Sequence, residues 1–229
     1  MTMMKLRVPK STEILLWVYG VGLAGMILPF SRGLFTAITP LNLLFALFWL
    51  FWGNWPSRKV IIAGVVIAVA SFFTEAAGVN TGSIFGVYVY GNTLGPKLLN
   101  TPLIIGLNWF LLIYCTNVIS RLLWGRAAGG KAGMQSGLIQ SVFVVVTGSL
   151  LMVFYDLLLE PAAVRLDMWS WECGIIPLRN FLAWFFFSLL FHIYIRYRGE
   201  EEINPRALPL FAVQLVFFAA IDLFYLLAA

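Results

Sequence analysis

The sequence predicts an all-α fold: a polytopic transmembrane bundle of about seven spans with two long outer loops packed on it. Composition is the first reason. Of 229 residues, 61% are hydrophobic and only 11% charged, against about 25% charged in an average soluble domain. Such a chain lacks the polar surface to cover itself in water, whereas an apolar exterior is at home in lipid. The second reason is the spacing of apolar runs and prolines, and the third is the placement of Lys and Arg.

The first run covers residues 13–30, behind Lys5, Arg7 and Lys10. It is longer than a signal-peptide core of about 7–15 residues, so it reads as a retained helix. The second run, 38–53, is the shortest. Runs at 60–77, 102–120, 135–159, 177–196 and 207–228 complete the set. A helix needs about 20 apolar residues to cross the hydrocarbon layer, so these spans use nearly the whole chain. A single membrane domain over 1–229 is expected. Pro40, Pro56, Pro102, Pro161, Pro177, Pro205 and Pro209 fall at or near the proposed ends, where helices start or stop.

With the N-terminus placed in the cytoplasm, eleven of the 15 Lys and Arg residues fall on the inner side. Only Arg32, Lys97, Arg165 and Arg179 fall outside. This bias fits the positive-inside rule, supports an odd number of spans and places the C-terminus outside. The net charge of +5 then belongs to helix ends that meet anionic headgroups. No nucleic-acid motif is present, and no nucleic-acid partner is expected. Cys115 and Cys173 are far apart and read as unpaired thiols.

The connections 78–101 and 160–176 are rich in Gly, Pro and aromatic residues rather than charge. Such segments are expected to fold back onto the bundle or lie at the interface. Acidic residues within spans are costly, so each is a functional candidate. Glu75, Asp156, Glu160 and Asp222 qualify, and Asn108, Arg179 and Asn180 lie at the same level. They come from five spans, yet the map puts them all in the outer half of the bilayer. Asp156 and Glu160 are four apart and share a helix face, as do Asn180 and Trp184. The long loops bring Tyr88, Tyr90, Trp169 and Trp171 to that level. A polar and aromatic pocket follows, with Arg179 available to pair with the acids. The plainer alternative is that these carboxylates reach the headgroups and anchor the chain. Arg32, Asn42 and Gln214 read as structural.

What the chain lacks narrows its chemistry. Its one histidine, His192, reads as a packed or interfacial residue. Neither histidine-rich di-iron chemistry nor haem held between paired histidines fits. No zinc motif and no phosphate-cradling glycine motif occurs. No metal and no cofactor is expected. Acid–base chemistry on a lipid-soluble molecule is what remains.

The stretch FTEAAGVNTGSIFGVYVYGNTLGPKLLNTPLIIGLNWF, from Phe73 to Phe110, resembles the carotenoid hydratase family. That family includes gamma-carotene 1′,2′-hydratases and bisanhydrobacterioruberin hydratases. The matching positions are Glu75, Gly78, Thr81, Gly82, Phe85, Gly86, Tyr88, Tyr90, the run Leu94 to Leu98, Pro102, Leu103, Trp109 and Phe110. A second block, YDLLLEPAAVRLDMWSWECGIIPLRNFLAWF from Tyr155 to Phe185, is also similar. It matches through Asp156, Glu160, Pro161, Trp169, Trp171, Gly174, Pro177, Asn180, Phe181 and Trp184. Ile84 stands where family members often have proline.

The resemblance implies an enzyme of carotenoid biosynthesis, a hydro-lyase. It would add water across the terminal double bond of an acyclic carotenoid end to give a tertiary alcohol, without oxygen or redox cofactor. Within that frame Asp156 is the expected acid, with Glu160 one turn away perturbing it, and Glu75 orients water. The exchange of roles between Asp156 and Glu75 stays open. Tyr88, Tyr90, Trp171 and Trp184 would line the carbocation. A desolvated cation–π contact is worth about 2 kcal/mol, or roughly thirtyfold in rate if made only at the transition state. Asn180 and Arg179 would hold water and set charge, and Thr81 and Asn108 complete the substrate-binding set. The substrate would enter from lipid. The basic net charge favours a C40 carotenoid such as gamma-carotene or lycopene, in a bacterial inner membrane. Association with other carotenoid-pathway enzymes is a further expectation. Two rival readings are a small-molecule or proton transporter and a non-catalytic carotenoid-binding protein.

Overall fold

A computed structural model describes residues 9–53, 55–127, 137–198 and 203–228. Lys5, Arg7 and Lys131 of the charge map lie outside the described residues. Helix α1 (Thr12–Ile27) leads through the short α2 (Arg32–Ala37) into α3 (Thr39–Phe51). Then come α4 (Arg58–Thr81), α5 (Ile105–Ala127), α6 (Leu138–Arg165), α7 (Leu178–Tyr197) and α8 (Ala207–Leu227). Helices α4 to α8 are each long and apolar enough to cross a membrane.

Helices α1 and α3 have 16 and 13 residues, or about 24 and 20 Å at 1.5 Å per residue. They run between the same two ends of the bundle as their longer neighbours. At one end Trp49 Nε1 donates to the Ser11 carbonyl (3.0 Å), and Asn204 Nδ2 donates to the Leu50 carbonyl (2.8 Å). At the other end the Arg32 guanidinium donates to the Arg165 carbonyl and lies 5.2 Å from the Tyr225 ring centroid. The chain is therefore a multi-pass membrane bundle.

Helix α5 is the centre. Nearly every residue from Ile105 to Ser120 is buried, as befits a helix with neighbours on all sides rather than one apolar stripe. The surrounding helices show apolar side chains outward, Leu16, Val65, Leu150, Leu182 and Val216 among them, a surface suited to lipid. Helices α4 and α5 touch where Gly106 lies against the Ala68 backbone, and a Cβ on Gly106 would run into the Ala68 carbonyl. That obstacle is backbone and cannot rotate aside. Gly106→Ala is therefore expected to cost about 1–3 kcal/mol through forced separation of the two helices. A lowered thermal midpoint of the detergent-solubilised protein is the check.

Three helices clearly outrun their expected ends. Helix α4 reaches Thr81 rather than residue 77, α5 reaches Ala127 rather than 120, and α6 reaches Arg165 rather than 159. Pro161 is inside α6, on its exposed side, while Glu160, Ala162 and Ala163 face in. The ring faces outward and the N–H bond to the Leu157 carbonyl is lost, yet the helix continues past it.

The long connections do pack on the bundle, and they carry short strands that an all-α reading omits. Strand β1 (Tyr88–Tyr90) pairs antiparallel with β4 (Trp169–Trp171), and β2 (Lys97–Leu98) pairs with β3 (Thr101–Pro102). In β1 and β4 the outer residues are buried and the middle ones exposed, the period-two alternation of a strand on a core. Both cysteines are free. His192 is fully buried, with Nδ1 2.7 Å from the Ser188 carbonyl and Nε2 3.1 Å from Thr116 Oγ1.

Candidate active site

Each long connection folds back over the last turns of the helix it leaves. Gly82 ends α4 in the left-handed region (φ 65°), its N–H bonded to the Gly78 carbonyl. A side chain there would be strained, which is why glycine makes the turn. The chain then returns, and β1 brings two tyrosines onto Glu75. Tyr88 Oη and Tyr90 Oη both donate to Glu75 Oε2, at 2.6 and 2.8 Å. Trp109 Nε1, from α5, donates to Oε1 at 2.9 Å.

The same device serves α6. Strand β4 follows directly, and Trp169 Nε1 and Trp171 Nε1 donate to Glu160 Oε2 at 3.0 and 2.7 Å. Asn180 Nδ2, from α7, donates to Glu160 Oε1 (3.1 Å) and to Asp156 Oδ2 (2.7 Å). The register sets Tyr88 opposite Trp171 and Tyr90 opposite Trp169. The two donors of one carboxylate thus face the two donors of the other. Ring centroids are 5.1 Å apart in the first pair and 6.2 Å in the second, contact distances for directly opposed residues.

Burial of Tyr88 and Tyr90, and then the charge of neighbouring Glu75, push both phenols well above their ordinary range. They stay protonated at any working pH and act only as neutral donors and aromatic walls. Lys97 Nζ donates to the Tyr90 carbonyl, which pins β1 in place.

These groups surround a cavity of about 20 Å³ whose wall includes Glu75, Tyr88, Tyr90, Asn108, Glu160, Asn180 and Trp184. One water fills about 10–15 Å³ by this measure, so there is room for one. Trp184 stacks on Trp109 with centroids 4.4 Å apart. Asp156 is fully buried and is not part of the wall; it meets the cavity through Asn180. Its Oδ1 has no partner among the described residues.

Of the residues expected from sequence, Glu75, Asp156, Glu160, Tyr88, Tyr90, Trp171, Trp184, Asn180 and Asn108 come together. Thr81 and Arg179 do not. Thr81 is exposed at the end of α4, bonded to the Ala77 carbonyl and Ser83. Arg179 donates to the Gly82 and Ser83 carbonyls, both at 3.2 Å, rather than to an acid. Asp222 pairs with Arg165 at 3.6 Å, apart from this group. Trp109 and Trp169 enter as donors that sequence reasoning gave no such role, although both stand in the two recognised blocks.

The carotenoid biosynthesis protein model matches residues 35–229, which takes in every residue of the site. The chain belongs to this family. The chain is also similar to the bisanhydrobacterioruberin hydratase of Haloarcula japonica. The two are 28% identical over 131 residues, which is 56% of this chain and 41% of that relative. The chain thus matches less than half the length of that relative. No solved structure matches it.

The two indoles on Glu160 give a direct stability test for this family member. Trp171→Phe keeps the ring but removes one donor from a buried carboxylate, a loss of about 1.5–3 kcal/mol. The thermal midpoint in detergent is expected to fall, whereas Ser170→Ala, on the exposed face between the two tryptophans, leaves it unchanged.

Proposed function

We propose that this protein is a carotenoid hydratase. It adds one water across the terminal double bond of an acyclic carotenoid end and yields a tertiary alcohol. One observation carries the reading: two carboxylates from different helices, Glu75 and Glu160, share the wall of a one-water cavity lined by aromatic rings.

Hydration asks for three things. A carboxyl must give a proton to one alkene carbon, the resulting tertiary cation must be stabilised, and a base must take a proton from the attacking water. Glu75 and Glu160 each accept from three donors, but Glu75 has no second carboxyl sharing a donor with it, and we assign it as the base. Across the cavity Glu160 and Asp156 share the amide of Asn180. We assign this pair to the proton-donating side. Glu160 is the member that reaches the substrate, and Asp156, with its open Oδ1, is the proton-sharing partner behind it. The Tyr88, Trp171 and Trp184 rings face the cation, a contribution of about 2 kcal/mol for a desolvated contact.

The balance closes. The π pair forms the new C–H bond with the Glu160 proton, a water lone pair forms C–O, and Glu75 takes the surplus proton. That proton then returns from Glu75 to Glu160 through a water in the cavity they share. The reading has further support in the similarity to a relative named as a hydratase. The net charge of +5 favours a C40 substrate, gamma-carotene or lycopene, in a bacterial inner membrane, entering sideways from lipid past the apolar helix faces. Expression in a lycopene-producing bacterium without oxygen is expected to yield pigment heavier by one water. Unchanged pigment from folded protein overturns the reading.

A further inference from the structure

A second cavity adjoins the first. It measures about 50 Å³ and lies among α1, α3, α5, α6 and α8. Ile105, Asn108, Leu159 and Trp169 line both cavities and so form the partition between them. Its polar groups are linked: Gln214 Nε2 donates to Tyr19 Oη at 2.9 Å, and Tyr155 Oη donates to Gln214 Oε1 at 3.4 Å.

Two acceptors stand open. Asn42 Oδ1 and Asn108 Oδ1 are buried with no partner among the described residues. Asn108 as a whole is only 8% exposed, and it borders both cavities. A buried amide oxygen is costly to leave bare, and an added donor relieves that cost. No Asp, Glu, Lys, Arg or His lines this second cavity. Its wall is mostly apolar, and the polar groups set into it are all uncharged, which suits water at those groups and not an ion. At about 50 Å³ it is larger than the first cavity and has room for more than one water.

We propose that this second cavity is the water store for the hydration, and that Asn108 hands water from it to the carboxylate cavity. The inference rests on the hydratase reading. A polyene end seated against the aromatic wall closes the site toward lipid, so the water consumed in each turnover has to come from within the bundle. Held among neutral amides and phenols, that water stays unactivated until it passes Asn108 and meets Glu75. Asn108 is then a positioning residue for the nucleophile, and Gln214 and Tyr19 fix the store behind it.

The test uses the fate of the cation. In deuterated water, a cation not captured by water loses a proton again, and the recovered substrate carries deuterium. Asn108→Leu and Gln214→Leu are compared with wild type, as full-length protein in nanodiscs with lycopene. Each variant is expected to form about tenfold less alcohol, the worth of one hydrogen bond at the site, while exchange into recovered lycopene persists. The ratio of exchanged substrate to alcohol therefore rises. Alcohol and exchange falling together, or neither changing, overturns the store while leaving the hydratase reading intact. A wild-type protein that forms no alcohol removes both. Independently of folding in the variants, X-ray hydroxyl-radical footprinting of wild type is expected to label buried Met26 and Met168, which line the store. Both remaining unlabelled overturns it.

Discussion

Glu75→Gln is expected to reduce alcohol formation by about 100- to 10,000-fold, the range for losing a positioned general base, with little change in fold. The reason for the mild structural effect is in the partners. Trp109 Nε1 can only donate, so the glutamine oxygen stays at the Oε1 position. Its NH2 then meets Tyr88 and Tyr90, whose hydroxyls rotate and accept. All three contacts to residue 75 survive with the base gone. Alcohol formed from lycopene, measured beside the size-exclusion profile and thermal midpoint, separates the two effects. Retained turnover in a folded variant would remove Glu75 from the chemistry.

Glu160→Gln is expected to cost as much activity and more stability. Both groups on Oε2 are indole N–H donors, which cannot turn into acceptors. The glutamine oxygen must therefore stay with them, and its NH2 faces Asn180. Asn180 already donates to Glu160 and Asp156, so its amide has to flip. A flipped Asn180 presents its oxygen to Asp156, which keeps that contact only by carrying a proton itself. Loss of activity again of about 100- to 10,000-fold should come with a lower thermal midpoint. Adding Asp156→Asn supplies a donor toward the flipped amide and is expected to recover part of that midpoint without recovering turnover. If the double variant is no more stable than the single one, the coupling through Asn180 is absent.

The bundle was largely legible because its cause is coarse. Composition, proline spacing and the Lys and Arg bias each report on lipid as solvent, and all three agree. That Glu75, Asp156, Glu160 and Asn180 share one level of the bundle was legible for the same reason, since span ends set that level. Direction around a helix axis was less so. Thr81 lies six residues past Glu75, about 600° of helical rotation, and so faces away from it. Arg179 and Asn180 are adjacent, and adjacent positions on a helix do not face the same way. Asn180 points in and Arg179 points out.

Trp109 was hidden by the opposite problem. On a helix buried on all sides no apolar stripe picks out a special face, and a tryptophan there looks like packing. The strands at Y-V-Y and W-S-W went unread, because three residues are too few to show a strand period or a register. The ladder between two connections far apart in sequence is what turns two anchored-looking carboxylates into opposite walls of one cavity.

The most direct measurement is the origin of the new hydroxyl. Purified protein in nanodiscs is given lycopene in heavy-oxygen water under strict exclusion of oxygen gas, and the pigment is weighed by mass spectrometry. The account predicts a product heavier by one water whose oxygen carries the label. A hydroxyl without the label, or pigment that stays bound and unaltered by folded protein, would contradict it.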